Sequence, residues 1–184
     1  MDALANRGRS VRIAGDACVY GLGAYLLIDG APVEFYAVPL TPDDEHALRI
    51  KIGDPKAQQA AEALNLLVAL RLWKPVWAAE RVRLEVRADN IAALTLILHL
   101  KGSGHALNRI AREVALDLGD ASFRPDVCSH TPGVASGIAD ALSRRFEPGV
   151  DFVLPPMLGP RVRPTRPPAR HIGGVPRRPQ SLLD

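Results

Sequence analysis

Between residues 60 and 72 the chain reads AAEALNLLVALRL, and only Glu62, Asn65 and Arg71 interrupt the apolar side chains. A helix with so little polar surface must be covered on most of its sides. A chain that carries it must therefore build a core around it. The length of 184 residues and the hydrophobic fraction of 47% allow one domain with such a core. Asp54-Pro55 supplies an N-cap and a first-turn proline for this helix, and Lys74-Pro75 stops it.

Strands flank the helix. Residues 11–17 alternate loosely, Gly21 and Gly23 mark a turn, and 24–28 form an apolar run. Asp29-Gly30 is a hairpin pair, and 33–38 return as a third strand. Residues 39–55 are polar and rich in Pro and Asp, which predicts a loop. VRLEVRA at 82–88 alternates cleanly as a fourth strand. Helices follow over 91–100 and 106–118, a short strand over 124–129, and a last helix over 137–146. An antiparallel meander followed by β-α-β units predicts a mixed, five-stranded sheet with helices on its faces.

Charge divides the chain. Residues 1–145 carry 17 basic and 17 acidic side chains, so the net +3 resides in 146–184, with six Arg, three acids and nine of the sixteen prolines. The expected organisation is an N-terminal extension over 1–10, a domain over 11–146 and a largely unstructured Arg/Pro-rich tail over 147–184. Such a tail could hold phosphates by counterion release, or be a solvated linker. No apolar run reaches the roughly 18 residues of a membrane span. The first ten residues lack the apolar stretch of a signal peptide, and two cysteines, Cys18 and Cys128, suit a reducing compartment. These features predict an intracellular protein, cytoplasmic or nuclear, and not a secreted one.

Four acids stand at informative places. Glu62 lies on the apolar helix, where a carboxylate near a core costs several kcal/mol unless it is paired or holds a cation. Asp16 lies in the first strand, against strand propensity. Asp89 ends the fourth strand, at the kind of edge where ligands bind, and Asn90 follows it. Asp140 lies early in the last helix, with Arg144 four residues on. Taken singly, each has an ordinary explanation: a solvated helix edge, a turn, an N-cap, an i,i+4 ion pair. Asp44, Asp117 and Asp120 show no comparable placement and read as solvated acids. If the first and fourth strands are neighbours, three or four carboxylates converge. Clustered carboxylates repel one another, and a hard divalent cation such as Mg²⁺ relieves the repulsion.

These residues resemble a known family. GDACVYGLGAYL at 15–26, AAEALNLLVALRLW at 60–73, VRADNIAAL at 86–94 and HTPGVASGIADALSR at 130–144 resemble a type 1 ribonuclease H domain of the kind attached to reverse transcriptases of retroelements. The last segment is the most specific. KGSGHALNRIARE at 101–113 is similar to the corresponding stretch of tyrosine-recombinase-type retroelements. The likeness spans residues 11–146. One departure is Ser136, next to Gly137, where the family has Asn. Glycine there slackens the loop, although serine still caps a helix.

The resemblance implies a ribonuclease H-like fold and a metal-dependent endonuclease that hydrolyses the RNA strand of RNA–DNA hybrids. Its four metal-binding acids fall on Asp16, Glu62, Asp89 and Asp140, holding two Mg²⁺, with Mn²⁺ as a substitute, and Asp16 bridging both. His130, ten residues before Asp140, takes the position of a histidine that assists catalysis or product release. Discrimination against DNA requires sensing the 2′-hydroxyl, for which Asn65 and Asn90 are candidates. Lys101, His105, Arg109 and Arg112 could grip phosphates, or form a solvated helix face. Only about ten residues precede the first strand, so the expectation is a module separate from its polymerase, with a polymerase acting in trans. Two further readings remain: a fold that binds nucleic acid or protein without cleaving, and a module whose Pro/Arg tail docks a partner.

Overall fold

The computed structural model describes residues 8–78, 82–88, 99, 103–121, 127–130, 137–168 and 172; for 120–121 and 127–130 it describes the backbone alone. Three strands open the fold: β1 (Arg9–Ala17), β2 (Gly21–Ile28) and β3 (Ala31–Pro39). They form an antiparallel meander. Asp29 and Gly30 both have positive φ, at 51° and 84°, which suits the tight β2–β3 turn. The Asp29 carboxylate also accepts a bond from the Ser10 amide at 2.9 Å.

Residues 39–55 are not the uninterrupted loop that their composition predicts. They contain α1 (Pro42–Leu48), capped by Thr41, whose hydroxyl accepts from the Asp44 amide while the Asp44 carboxylate accepts from the Thr41 amide at 2.8 Å. Proline at the first turn and this reciprocal cap turn a loop-like composition into a helix start. Asp44 is buried by that role and is not a solvated acid.

Asp54 caps a single 3₁₀ turn, Pro55–Ala57, that leads into α2 (Gln58–Leu72). Ten of the fifteen α2 residues are buried, as its composition requires. A four-residue α3 (Lys74–Trp77) follows, with Pro75 in its first turn. Strand β4 (Val82–Ala88) then pairs in parallel with β1. Next come α4 (Gly104–Ala121), β5 (Val127–His130), parallel to β4, and α5 (Gly137–Ser143). The helix expected over 91–100 lies outside the described residues except at His99.

The sheet order is β5-β4-β1-β2-β3-β6, where β6 is the two-residue Arg163–Pro164. Five strands are those expected; the sixth comes from the segment expected to be a tail. Residues 147–168 pack against the sheet: Leu158 and Val162 are buried, Thr165 donates to the Phe35 carbonyl at 2.8 Å, and Arg163 pairs with Glu34. An edge position tolerates proline because no ladder N–H is demanded there.

Alternation divides the sheet into two faces. Val11, Ile13, Leu22, Leu26, Leu84 and Val86 pack with α2 and α4. Ala14, Tyr25, Leu27 and Phe35 pack with Ala139 and Leu142 of α5 and with Leu158. Arg71 on α2 pairs with Glu113 and Asp117 on α4, so Asp117 is an ion-pair partner and not a solvated acid. Asp120 has only its backbone described.

Candidate active site

Asp16 is the penultimate residue of β1 and follows Ala14 onto the α5 face of the sheet. Two helices reach it from opposite sides. On the α2 side, Gln58 Nε2 lies 2.6 Å from the Ala17 carbonyl and 2.6 Å from Glu62 Oε1, donating to both. One amide therefore ties the helix start to the strand end and holds the Glu62 carboxylate at that end of β1.

Asn65 completes the α2 contact. Its Nδ2 donates to the carbonyls of Asp16 (2.9 Å) and Gly23 (3.0 Å), and its Oδ1 accepts from the Tyr36 hydroxyl at 2.7 Å. Asp16 and Gly23 are register partners across β1 and β2, so one side chain stitches both strands. A Cβ on Gly15 would lie 2.7 Å from Asn65 Nδ2, so glycine is needed for the approach. Asn65 is only 1% exposed, and this corrects its expected role as a sensor of the 2′-hydroxyl. Its amide is consumed inside the core, where buried polar groups must be bonded.

On the other face, α5 lies directly on β2. A Cβ on Gly23 would come within 2.5 Å of Leu142 Cβ and of the Ser143 amide nitrogen. This contact brings Ser143, fully buried, to Asp16: its hydroxyl lies 3.0 Å from Asp16 Oδ2 and 2.9 Å from the Asp140 carbonyl. Asp140 is thus one helical turn from Ser143, the residue that touches Asp16 across more than a hundred residues of sequence. Its carboxylate is engaged with Arg144 Nε at 2.7 Å, and Arg144 also bonds Glu147. Those two carboxylates hold the guanidinium above its ordinary pKa. Sequence reasoning passed over Ser143 and Gln58. The spacing of Ser143 from Asp140, and of Gln58 from Glu62, is one helical turn, which is the signal that marks them.

Asp89, Asn90 and Lys101 lie outside the described residues. Strand β4 pairs Arg87 with Ala14 of β1 and ends at Ala88, immediately before Asp89. Ala88 pairs with His130, the last residue of β5, of which only the backbone is described. The carboxyl ends of β1, β4 and β5 thus lie along one edge. Among the described residues no three of His, Cys, Asp and Glu form a ready metal-binding group.

The α4 residues are placed differently. His105 and Arg112 are exposed. Arg109 is half-buried and has a structural role: its two terminal nitrogens donate to the carbonyls of Ala47 (3.1 Å) and Ile172 (3.0 Å). That anchors the end of α1 and the buried Ile172 to α4. Among the described residues, no helix is long and apolar enough to cross a membrane.

No family model matches the chain, and no curated protein does. Solved structures do. The ribonuclease H1 of the halophilic archaeon Halobacterium salinarum NRC-1 superposes with a TM-score of 0.51 at 16% identity, over 73% of this chain and 92% of that one. LC11-RNase H1, isolated from compost by a metagenomic approach, gives 0.49 at 16% identity, over 74% and 93%. The chain has a mixed α/β, ribonuclease H-like fold.

Proposed function

We propose that this chain is a metal-dependent endonuclease that hydrolyses the RNA strand of RNA–DNA hybrids, of the retroelement kind. The observation that carries the reading is that the end of β1 is bonded from both faces by residues that also bond an acidic residue: Gln58 joins the Ala17 carbonyl to Glu62, and Ser143 joins the Asp16 carboxylate to the Asp140 carbonyl. The fold permits many chemistries, so function lies in these residues and not in the architecture.

The donor set fits a hard divalent cation. Asp16, Glu62 and Asp140 offer carboxylate oxygens, and Gln58 and Ser143, which orient two of them, are neutral. Mg²⁺ prefers such ligands, and Mn²⁺ accepts them. Asp89, next after β4, is proposed as the fourth carboxylate. A pair of ions held there would supply activation of the attacking water and stabilisation of the departing 3′ oxygen. The protein's share is to fix the carboxylates before substrate arrives. Asp16, approached from both faces, is proposed as the shared ligand, with Glu62, Asp89 and Asp140 flanking it. Arg144, bonded to Asp140 Oδ1, would compete with a cation for that oxygen. His130, at the end of β5, is proposed to move a proton near the products. Asn90 is proposed to test for the 2′-hydroxyl, and Lys101, His105 and Arg112 to hold phosphates. A polymerase acting in trans would supply the hybrid.

A labelled hybrid incubated with Mg²⁺ and the protein tests the reading. Cleavage of the RNA strand by the native chain, lost in Asp89→Asn and Asp16→Asn, is expected. One observation favours a second reading, binding without hydrolysis: the Asp140 carboxylate is occupied by Arg144 at 2.7 Å. Hybrid binding with no cleavage at any protein concentration would establish that reading instead.

A further inference from the structure

We propose that Ser143 is a positioning residue for Asp16, setting the rotation of the carboxylate on which metal binding depends. The proposal rests on the nuclease reading and deepens it. Ser143 is fully buried at the end of α5, and its hydroxyl has two acceptors within reach, Asp16 Oδ2 at 3.0 Å and the Asp140 carbonyl at 2.9 Å. A hydroxyl has one proton to give. A bond to an ionised carboxylate is about twice as strong as one to a neutral carbonyl, so the proton goes mainly to Asp16.

The serine itself has little freedom. Its amide nitrogen would be 2.5 Å from a Cβ on Gly23, and its carbonyl 2.6 Å from a Cβ on Gly21. The same carbonyl accepts a bond from Cys18 Sγ at 3.2 Å. Backbone packing on three sides therefore fixes where the hydroxyl is presented, and the hydroxyl fixes Oδ2. A carboxylate held this way keeps one orientation, where a solvated aspartate would sample several rotamers. The device also links two acids: the residue that orients Asp16 contacts the backbone of Asp140, so a displacement of α5 disturbs both.

The test uses Ser143→Ala, and Ser143→Cys as a second variant that keeps nearly the same volume with a much weaker donor. Leu158→Val, a truncation in the core of the same face, serves as the stability-only reference. Binding of Mn²⁺ alone is measured by calorimetry, beside hybrid cleavage. Removal of a group that orients a metal ligand typically weakens metal affinity by about ten- to a hundredfold. Both Ser143 variants are expected to lose Mn²⁺ affinity in that range and to lower kcat with KM for the hybrid unchanged. Leu158→Val should keep native Mn²⁺ affinity at a similarly lowered Tm. Mn²⁺ affinity within twofold of native in either folded Ser143 variant overturns the positioning role. If Asp16→Asn abolishes Mn²⁺ binding while Ser143→Ala does not, only the positioning role falls. If the native chain binds no Mn²⁺, the nuclease reading falls and takes this one with it.

Discussion

Replacing Asn65 by alanine removes three hydrogen bonds at once, from Nδ2 to the Asp16 and Gly23 carbonyls and from the Tyr36 hydroxyl to Oδ1. The Tyr36 hydroxyl keeps a second acceptor, the Asn65 carbonyl at 3.1 Å, so its loss is partial. The two strand carbonyls face the emptied space. Each net bond contributes about 1 kcal/mol, and the void adds about 1 more. The sum is about 4 kcal/mol, a fall of roughly 10 °C in Tm for a chain of this size. Urea and thermal unfolding followed by circular dichroism measure it. Activity should fall as well, because Asp16 loses its backbone anchor, but the preference for RNA over DNA should stay. A surface sensor of the 2′-hydroxyl would behave in the opposite way. A stability loss under about 1 kcal/mol with relaxed RNA preference would refute the buried role.

Arg109→Ala should lower stability by about 1–3 kcal/mol, because two backbone carbonyls lose their donor. The salt dependence of hybrid binding should be unchanged, whereas loss of a phosphate contact would reduce its slope by about one. Burial raises the Glu85 carboxyl, and hydrogen bonds from Arg12 and Arg87 more than reverse this, leaving it below its ordinary value of 4.5. A carboxyl depressed by folding contributes stability above its unfolded pKa and loses it as pH falls through the folded one. Glu85→Gln should therefore flatten the acid side of the stability curve below about pH 4.5, and a titration of urea midpoints against pH checks this. Burial pushes the Cys18 thiol up, and its Sγ is bonded to the Ser143 carbonyl. Since the thiolate is the reactive form, Cys18 should resist iodoacetamide at pH 8 in the native chain and react once denatured, as mass spectrometry would show.

Much of the fold was legible because its signals are local. The Asp29-Gly30 turn needs two residues with positive φ, and aspartate and glycine tolerate it. The alternation of Val82, Leu84, Val86 and Ala88 marks one buried face of β4, and the apolar run of α2 marks a helix in the core. What failed depended on distant partners. Arg109 reads as a surface cation until Ala47 and Ile172, each some sixty residues away, present their carbonyls. Asn65 reads as a functional amide until two strand carbonyls claim it. The α1 helix was hidden because the residues that make a good cap, Thr41, Pro42 and Asp44, also make a good loop. Residues 147–168 are poor in apolar side chains, yet Leu158 and Val162 are spaced to meet the α5 face of the sheet. In the candidate site, the acids could be picked out one by one, but the groups that orient them could not. Gln58 and Ser143 are ordinary helix residues until the strand end they touch is known.

Glycines 15, 21 and 23 show why the site and the core cannot be separated. Glycine weakens a strand, since it gives up the most chain entropy and offers no side chain to pack. Three of them around the β1–β2 turn are a poor choice for a sheet held only by its own pairing. The choice makes sense where other elements must come closer than a Cβ allows. Asn65 comes to within 2.7 Å of where a Cβ would sit on Gly15, Leu142 and Ser143 to within 2.5 Å at Gly23, and the Ser143 carbonyl to within 2.6 Å at Gly21. Those approaches are the ones that fix Asp16 from α2 and from α5. Asp16 is therefore placed by close packing on both faces of one strand pair. A change that opens either face moves an acid and exposes core in the same step, so the precision of the site is inherited from the stability of the sheet.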